Sequence, residues 1–508
     1  MRFLTVAVLV LMALGPSRAV HAQLANPIPA PIPKGGLRVE IKDVVRLPDT
    51  RGLRGAGEDS MPAGWARLNF VRELPDGRRF VNDLRGLLYV LDAANRPTVY
   101  ADVGAVFPLG FYRGLVAGFV TFEFHPEFAA NGLFYTIHTE RATGNPGSLH
   151  FMPPGFTAAD VTYHTVITEW KAASPSANIF KGVRRELLRA GHVVANPFHP
   201  LDELKFNPTA RPGAGDYGLL YIGSGDWGFS NGGGPKANNP GQGQRTDTLL
   251  GAVLRIDPRS PSVSGGMRGV GDYTIPAMNR FAADGNPSTF GEIYAYGFRN
   301  PHRLSWDPSD GTLFVADIGN SNVEEINIVR EGDNHGWMQR EGIFQSGYYV
   351  SGGNGNQVYP LPPSVLDGTT RDGFSYPVAM YDHGEGLSVS AGFVYSGGIP
   401  VLKGKFVFGD IARGRLFAAD VDALKAADDG IPSTVAGFEE IQLFVRDATG
   451  NRMDVSLQEL VARLMGPRPR VDLQLSQAAN GELFLTSRQD GMIRTLVPEQ
   501  DPSVSSAR

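Results

Sequence analysis

Residues 310–315 read Asp310-Gly311-Thr312-Leu313-Phe314-Val315, a turn followed at once by a short apolar strand. Aspartate before glycine favours a tight turn, and the apolar residues after it favour a strand. The same kind of unit occurs five more times along the chain. The other copies join residues 74–77 to 79–81, 131–132 to 133–135, 216–218 to 219–221, 403–404 to 406–408 and 480–481 to 483–485.

These repeats predict the fold. One small twisted sheet cannot cover both of its faces, whereas a ring of such sheets buries each face against a neighbour. Six copies therefore predict six blades of four strands. The predicted fold class is all-β, a six-bladed β-propeller with long inter-strand loops. Helical periodicity at residues 456–465 adds a short helical insertion near the C-terminus.

The organisation of the chain predicts one domain. Residues 23–36 are rich in proline and predict an extended lead-in, and residues 37–498 hold the predicted propeller. The helical insertion is placed around residues 421–470. Residues 499–508 predict a flexible tail.

The first residues have the pattern of a secretory signal peptide. Arg2 precedes an apolar run at residues 3–14, and a Gly15-Pro16 break is followed by small residues before a cut after Ala22. The run is too short to span a bilayer. The sequence therefore predicts a periplasmic or secreted protein with a cleaved signal peptide and no membrane span.

The amino-acid composition excludes several classes of site and partner. The chain has no cysteine, so thiol nucleophiles and thiolate metal sites are excluded. The formal net charge of -5 indicates no basic face for nucleic acid. We therefore expect a small-molecule substrate and no nucleic-acid partner.

Three generic motifs are better explained by turns. Residues 213–218 match a dinucleotide fingerprint but precede a strand instead of linking a strand to a helix. Residues 228–232 match a nucleophile elbow in letters, yet Gly233-Gly234-Pro235 follows where an elbow requires a helix. Residues 307–311 resemble a calcium loop without its later glutamate and predict a hairpin turn.

Two other stretches carry chemistry. Residues 296–301 read Tyr-Gly-Phe-Arg-Asn-Pro, and one hairpin later comes a glycine loop ending in two glutamates. This order places anion-binding and cation-binding groups at one edge of a sheet.

A second candidate site is a histidine and an aspartate. His199 stands at the entry of one strand and Asp226 at the exit of its neighbour. They can meet at one rim, where the carboxylate would fix the imidazole tautomer; the alternative is a turn histidine bonded to backbone.

Blocks of sequence, in order along the chain, resemble the glucose/sorbosone dehydrogenase family. Typified by soluble aldose dehydrogenases, these enzymes are six-bladed propellers that use pyrroloquinoline quinone (PQQ) and calcium, so the resemblance implies this fold and these cofactors. It runs from about residue 38 to residue 497. The blocks are His199 with the strand after it and residues 222–226, 248–257, 296–301, 317–327 and 336–337.

The resemblance implies roles for individual residues. His199 aligns with the catalytic base that removes the proton of a sugar hydroxyl, and Asp226 with its supporting aspartate. Arg299 and Asn300 align with the pair beside the quinone, where the arginine stabilises negative charge as the quinone is reduced. Asn231 lies in a loop where a polar cofactor contact is expected.

Further residues are implied to hold the metal and the carboxylates of PQQ. Gly319 and Asn320 align with residues whose carbonyls bind calcium, which prefers oxygen ligands. Glu324 and Glu325 align with acidic residues of the same loop and are either ligands, outer-shell supports or a solvated face. Arg413 and Arg415 align with arginines that hold PQQ carboxylates. Two positions depart from the family pattern: Ser396 replaces a basic residue, and residues 113–118 replace a Gly-Leu-Leu-Gly loop.

The leading hypothesis is an exported, PQQ- and calcium-dependent dehydrogenase. It would oxidise an aldose or related alcohol by base-assisted hydride transfer and pass electrons to an external acceptor. One alternative is a non-catalytic propeller that binds a glycan or a protein. Another is a calcium-dependent lactonase-type hydrolase, which needs no quinone. The sequence leaves the sugar, the acceptor and the oligomeric state open.

Overall fold

β-Strands make up most of the regular structure of the protein. The computed structural model describes residue 24 and residues 27–53, 64–143, 147–194, 198–231 and 242–498. The predicted signal peptide (1–22) and tail (499–508) lie outside these residues. The prediction of a β fold is confirmed, because the described residues form six sheets of four or more strands and only short helices.

Five of the sheets are four-stranded and antiparallel, with their strands in chain order. Sheet 1 contains Leu68–Glu73, Arg79–Asp83, Leu87–Leu91 and Pro97–Asp102. Sheet 2 contains Phe119–Phe124, Leu133–Arg141, Tyr163–Ala172 and Gly182–His192. Sheet 3 contains Leu201–Phe206, Leu220–Ser224, Ala252–Ile256 and Ile293–Tyr296. Sheet 4 contains Pro301–Trp306, Leu313–Asp317, Val323–Ile328 and Ala379–Asp382. Sheet 5 contains Val389–Val394, Lys405–Asp410, Leu416–Asp420 and Phe438–Glu440.

Sheet 6 combines the two ends of the described chain. The N-terminal strand pairs antiparallel with the last strand, so that Glu40 lies opposite Val497. On its other side it pairs in parallel with a strand that begins at Gln442. The strands of sheet 6 are Leu473–Gln477, Leu483–Ser487, Met492–Val497, Arg38–Arg46, Gln442–Arg446 and Arg452–Val455.

The six predicted turns each precede the second strand of a different sheet. Each turn contains a glycine with a positive φ, which side chains with a Cβ rarely adopt. At Gly311, for example, φ is 79°, and the turn is closed by hydrogen bonds from Gly311 N to Asp307 O and from Asp307 N to Thr312 O, both 2.9 Å. Residues 307–311 thus form the predicted hairpin turn. The other five glycines are Gly77, Gly132, Gly218, Gly404 and Gly481.

Each sheet buries both faces against its two neighbours. Because side chains alternate along a strand, Leu313 and Val315 pack in a core shared with sheet 3, whereas Phe314 and Ala316 pack in a core shared with sheet 5. Six such cores separate the successive sheets, and the sixth lies between sheets 6 and 1. The first strand of each sheet contacts the first strand of the next, and those of sheets 6 and 1 also touch.

Helices are short and lie in the connections. The predicted helix is present as Leu457–Met465, and Oγ of Ser456 caps it by accepting from N of Glu459 at 3.1 Å. The predicted insertion at residues 421–470 is helical only in part, since its strands belong to sheets 5 and 6. None of the helices in the described ranges is long and apolar enough to cross a membrane. The other α-helices are Val103–Val106, Phe128–Asn131, Pro261–Ser264, Pro363–Leu366 and Val421–Ala427.

Single-turn helices and two small sheets complete the described structure. The 3₁₀ turns are Ala158–Asp160, Phe229–Asn231, Gln242–Gln244, Arg280–Ala283, Gly347–Tyr349 and Pro400–Leu402. Met267–Arg268 pairs with Thr274–Ile275, and Arg340–Glu341, Phe344–Ser346 and Val358–Pro360 form a three-stranded sheet. The three-stranded sheet matters for the site, because it carries Glu341.

Candidate functional site

Four of the predicted site residues meet where sheets 3 and 4 begin. His199 precedes the first strand of sheet 3, and Asp226 follows the second, antiparallel strand of that sheet. Backbone N of Asp226 donates to the carbonyl of Arg299 at 2.7 Å. Asn300 immediately precedes the first strand of sheet 4. Segments about 100 residues apart in the sequence are therefore joined at one end of two neighbouring sheets.

His199 and Asp226 form a hydrogen-bonded pair. Nδ1 of His199 lies 2.6 Å from Oδ1 of Asp226, and Oδ2 of Asp226 accepts from Nε1 of Trp337 at 3.2 Å. The histidine has a φ of 51°, in the left-handed region that costs a residue with a Cβ free energy. Gly225 makes the arrangement possible, because a Cβ there would lie 2.5 Å from Cβ of His199.

Burial and charge set the protonation states of this pair. Burial would raise the pKa of Asp226, but His199 and then Arg299 hold it well below its usual value. Burial and the charge of Arg299 lower the pKa of His199, which Asp226 only partly opposes. At neutral pH the pair is an ionised carboxylate beside a neutral imidazole. Because Nδ1 faces the carboxylate and carries the proton, Nε2 is the nitrogen able to accept one.

Arg299 and Asn300 are held by Asp317. Its carboxylate accepts from N of Arg299 at 3.1 Å and from N of Asn300 at 2.6 Å. The guanidinium of Arg299 donates to the carbonyls of Ile318 and Gly319 and lies 5.9 Å from the ring of Trp337. Oδ1 of Asn300 is buried without a hydrogen-bond partner in the described structure. A buried acceptor without a donor is a feature that a bound ligand can satisfy.

The loop after Asp317 is shaped by Glu341. Oε1 of this buried carboxylate accepts from the backbone N atoms of four successive residues, Asn320 to Val323, at 2.8–3.1 Å. The backbone is also tight at Gly319, where a Cβ would lie 1.7 Å from the carbonyl oxygen of Val323. Gly319 and Asn320, the predicted calcium ligands, therefore lie in a loop in which the N–H groups of residues 320–323 all donate to the carboxylate of Glu341.

Glu324 and Glu325 point into the protein and are not a solvated face. Glu324 is fully buried, lies 2.8 Å from Nε2 of His383 and accepts from N of Val389 at 2.8 Å. Glu325 accepts from N of Gly342 at 2.5 Å, and burial raises its pKa to about 7. Both carboxylates thus have protein partners. In the part of the chain that the structure describes, no group of three or more His, Asp or Glu side chains is placed to hold a metal ion.

The two predicted carboxylate-binding arginines differ. Arg413 is exposed and donates to the carbonyls of Gly384 and His383 at 3.0 and 3.2 Å. Arg415 is already neutralised, because it donates to the carboxylates of Glu385 and Glu440, each at 2.7 Å. Arg413 is therefore connected to Glu324 through His383.

Asn231, Ser396 and residues 113–118, which the sequence also singled out, are not among the described residues that meet at the site. The side chain of Asn231 is outside the described residues. Ser396 follows the far end of the strand Val389–Val394, whose near end contacts Glu324, so this departure from the family pattern lies away from the site. In the loop at residues 113–118, Arg67 donates to the carbonyls of Gly114 and Leu115, each at 2.7 Å.

Sequence reasoning assigned no role to Trp337, Asp317 or Glu341, although each organises the site. Trp337 and Asp317 stand within the blocks that carry the family resemblance, and this position was a usable signal. Glu341 is in none of those blocks. Only the folded three-stranded sheet brings it to the loop at residues 320–323.

Comparison with known proteins identifies the family. A family model for glucose / sorbosone dehydrogenase matches residues 68–441. The chain belongs to the glucose/sorbosone dehydrogenase family. The match includes His199, Asp226, Arg299, Gly319 and Arg413, so the resemblance read from the sequence motifs is confirmed.

Relatives of this family member are distant. It is 29% identical to the HIPL1 protein of Arabidopsis thaliana over 323 residues, which is 58% of this chain and 42% of the relative. It is 27% identical to the aldose sugar dehydrogenase YliI of Escherichia coli over 188 residues, 37% of this chain and 43% of the relative. The matches thus span less than half the length of these relatives.

Solved structures support the fold. The apo form of the soluble aldose sugar dehydrogenase of Escherichia coli has a TM-score of 0.56 at 16% identity and covers 91% of this chain and 100% of its own. The PQQ-bound aldose sugar dehydrogenase of Streptomyces coelicolor has a TM-score of 0.51 at 16% identity, covering 91% and 99%. At these identities the similarity concerns the fold alone.

Proposed function

We propose that this family member is an exported dehydrogenase that uses PQQ and calcium to oxidise an aldose or a related alcohol to the lactone or carbonyl. The observation that carries the proposal is the convergence of His199, Asp226, Arg299 and Asn300 in one buried site. Relatives named aldose sugar dehydrogenase and quinoprotein glucose dehydrogenase support the reaction class. A neighbour of similar fold is described as PQQ-bound.

The six sheets are proposed to be blades of a closed six-bladed β-propeller. The ring order of contacts between first strands supports closure, as does the core that joins sheets 6 and 1. Pairing of Arg38–Arg46 with Met492–Val497 would lock the ring, because it ties both ends of the described chain into one sheet. The site then lies at one end of the ring, where loops can admit a ligand.

The site residues fit a flat, acidic quinone. PQQ carries three carboxylates, which need cationic partners, and Arg299 is a buried cation. The buried Oδ1 of Asn300 could accept from an N–H or O–H group of a ligand. Arg413 is the better second cation, since Arg415 would have to leave Glu385 and Glu440 before it could bind a ligand. Gly225 and Gly319 keep the nearby backbone free of side chains.

His199 supplies the proton chemistry. PQQ, when bound, supplies a quinone that accepts a hydride. Nε2 of His199 would take the proton of the substrate hydroxyl, because Nδ1 is held by Asp226. The imidazole then becomes positive, and the ionised Asp226 stabilises that charge at hydrogen-bond distance. Arg299, which is joined to Asp226 through its carbonyl, would stabilise negative charge that develops beside its guanidinium.

Calcium is proposed to bind the carbonyl oxygen of Asn320, and that of Gly319 once it is released from the guanidinium of Arg299, which donates to it at 2.5 Å. The backbone N atoms of residues 320–323 point at Glu341, which fixes the orientation of the peptide groups whose oxygens would bind the metal. Glu324 and Glu325 are assigned as outer supports rather than ligands, because their carboxylates already have protein partners.

Reconstitution tests this function. The purified protein is loaded with PQQ and calcium, and dye reduction is followed over a panel of aldoses, with cofactor-free protein as the control. Turnover of at least one aldose that requires both cofactors supports the proposal. Absence of turnover together with absence of PQQ uptake in a calorimetric titration contradicts it.

A non-catalytic binding module is the second candidate, favoured by the neutralisation of Arg415. That module would bind a glycan or a protein partner on the same rim and take up no PQQ in the presence of calcium. The calorimetric titration therefore separates the two functions, because it reports binding whether or not any sugar in the panel is a substrate.

A further inference from the structure

A second group of buried polar side chains lies on the first strands of sheets 4 and 6 and just after the second strand of sheet 6, and it has no part in the proposed reaction. Its centre is Arg303, which is 3% exposed. Nη2 of Arg303 donates to Oε1 of Gln474 at 2.7 Å, and Nη1 lies 3.0 Å from Nδ1 of His302. We call His302, Arg303, Gln474 and Arg488 the inner polar cluster. All four are at least nine-tenths buried.

A β-bulge brings two members of the cluster together. The pairing of Pro301–Trp306 with its neighbour shifts register between Pro301 and Arg303. In a regular strand the side chains of His302 and Arg303 would point to opposite faces, but an extra residue in the strand removes this alternation. The arginine side chain therefore reaches both the ring and the carbonyl of His302.

The contact between Arg303 and His302 fixes the histidine tautomer. An arginine carries only donors, so Nδ1 of His302 must present its lone pair to Nη1 of Arg303 at 3.0 Å. Burial and the charge of Arg303 lower the pKa of His302 to about 4, so the ring is neutral. Its single proton is then on Nε2, because the contact of Nδ1 with the arginine at 3.0 Å is shorter than its alternative contact with Oδ2 of Asp202 at 3.4 Å.

The cluster has N–H donors in excess of acceptors. Nε2 of His302, Nε of Arg303 and Nε2 of Gln474 are all buried without a hydrogen-bond partner in the described structure. The three side chains touch one another through Arg303. Buried N–H groups are rarely left unpaired in folded proteins, so a missing acceptor is indicated at this place.

Charge in the cluster is also out of balance. In the described ranges neither Arg303 nor Arg488 forms an ion pair: Arg303 bonds to His302 and Gln474, and Arg488 bonds to Oδ1 of Asn69 at 3.1 and 2.6 Å. The carboxylate of Glu203 is taken by Arg72 at 3.1 Å. The carboxylate of Asp202 lies beside His302, so one buried negative charge faces the two arginines. Burial lowers the pKa of Arg303 to about 10 and, with the charge of Arg303, that of Arg488 to about 9.

We propose that the inner polar cluster binds a small monovalent anion of the halide type, with chloride as the ligand. A halide accepts N–H groups from several directions at once, which suits donors from an imidazole, a guanidinium and an amide. It also carries a second negative charge beside that of Asp202, so that the two arginines are balanced, which a water molecule would not do. The bound anion would stabilise the folded state, because it would neutralise buried positive charge between the first strands.

Thermal unfolding of the full chain tests the site in solution. The melting temperature is measured against rising sodium chloride, with sodium gluconate used to keep the ionic strength constant. A saturable rise with chloride and with bromide, over gluconate alone, is expected because a ligand that binds the native state stabilises it. Equal melting temperatures in chloride and gluconate would overturn the proposal.

A conservative variant locates the effect. Gln474→Met keeps a side chain of similar length and removes the Nε2 donor together with the Oε1 atom that accepts from Arg303 at 2.7 Å. With that donor and the position of the arginine lost, apparent chloride affinity should fall by about tenfold. Gln458→Met, which alters an exposed glutamine that donates to Arg468, is the matched control and should keep the wild-type chloride response. Loss of affinity in both variants, or in neither, would contradict the assigned site.

Diffraction gives a readout that does not depend on any variant. A crystal of the wild-type protein is soaked in sodium bromide, and anomalous scattering is measured at the bromine edge. A bromide peak in contact with Nε of Arg303 is expected. A water molecule, or no density, between His302, Arg303 and Gln474 would overturn the proposal.

Discussion

Nδ1 of His199 lies 2.6 Å from Oδ1 of Asp226, and the two residues come from the ends of neighbouring antiparallel strands. This single contact settles which imidazole nitrogen is available for chemistry. It also explains why the carboxylate remains ionised in a buried position, since His199 and Arg299 both favour its negative form. The first prediction concerns this pair.

Asp226→Asn should lower kcat/KM for the best aldose by about 10²-fold or more. An asparagine can donate its amide to Nδ1, which would move the imidazole proton to Nε2 and remove the proposed base. Asp216→Asn is a matched control, because Asp216 also accepts one side-chain hydrogen bond, at 2.6 Å from Asn207, away from the site. Equal activity of Asp226→Asn and the wild type would contradict the assigned tautomer.

The pH dependence of kcat/KM should show an acid limb with a midpoint below pH 6.5, the ordinary pKa of histidine. Burial and Arg299 lower the pKa of His199, so the base stays neutral to lower pH and activity is lost only as the pH falls through that depressed value. Arg299→Met should move the limb to higher pH, because it removes a charge that disfavours the protonated imidazole. Arg299→Lys should leave the limb near its wild-type place. A limb above pH 6.5 in the wild type would count against this electrostatic account.

Trp337→Phe should reduce kcat/KM about tenfold while the protein stays folded. The change keeps an aromatic ring near Arg299 but removes the Nε1 donor that orients Asp226, a bond of order 1 kcal/mol. Trp170→Phe serves as the control, because Nε1 of Trp170 donates to Oγ1 of Thr136 at 2.8 Å away from the site. Both variants should lose similar thermal stability, and only Trp337→Phe should lose activity. Unchanged activity in Trp337→Phe would show that the hydrogen bond from Nε1 of Trp337 is not needed to orient Asp226.

Much of this arrangement is readable from the sequence. The six turn glycines predict where the second strand of each sheet begins. Each adopts a positive φ, which strongly favours glycine, in the turn before that strand. His199 and Asp226 could be paired because a hairpin brings the end of one strand beside the start of its partner. These inferences depend on local chain geometry.

Other features depend on tertiary contacts that no local pattern reveals. Glu341 reaches the loop at residues 320–323 only because the three-stranded sheet that carries it folds back beside that loop. Arg415 is neutralised by Glu385 and Glu440, from two separate segments. The position of Ser396 at the far end of its strand follows from strand direction, which a motif comparison does not show.

Glu341→Gln should lower the free energy of unfolding by about 1–3 kcal/mol, because hydrogen bonds to a charged acceptor become bonds to a neutral one. The amide cannot accept from the four backbone N–H groups as strongly, so the loop at residues 320–323 should loosen. The calcium concentration needed for half-maximal activation should rise. Chemical denaturation and a calcium titration measure the two effects. If the calcium requirement is unchanged, the loop at residues 320–323 does not contribute to calcium binding.

Gly319→Ala should reduce activity about 100-fold, since the new Cβ would lie 1.7 Å from the carbonyl oxygen of Val323 and displace the loop. Gly36→Ala is the control, because no heavy atom lies within 4 Å of a Cβ built there. Full activity in Gly319→Ala would exclude the loop from the working site.

The most direct test is a single-turnover absorption measurement on protein loaded with PQQ and calcium, mixed with the best aldose in the absence of any electron acceptor. We expect the wild-type protein to lose the quinone absorbance rapidly. His199→Ala, confirmed by titration to hold the cofactor, should keep that absorbance. Rapid loss in both proteins would remove His199 as the base, and a wild-type protein that takes up no PQQ would contradict the proposed function itself.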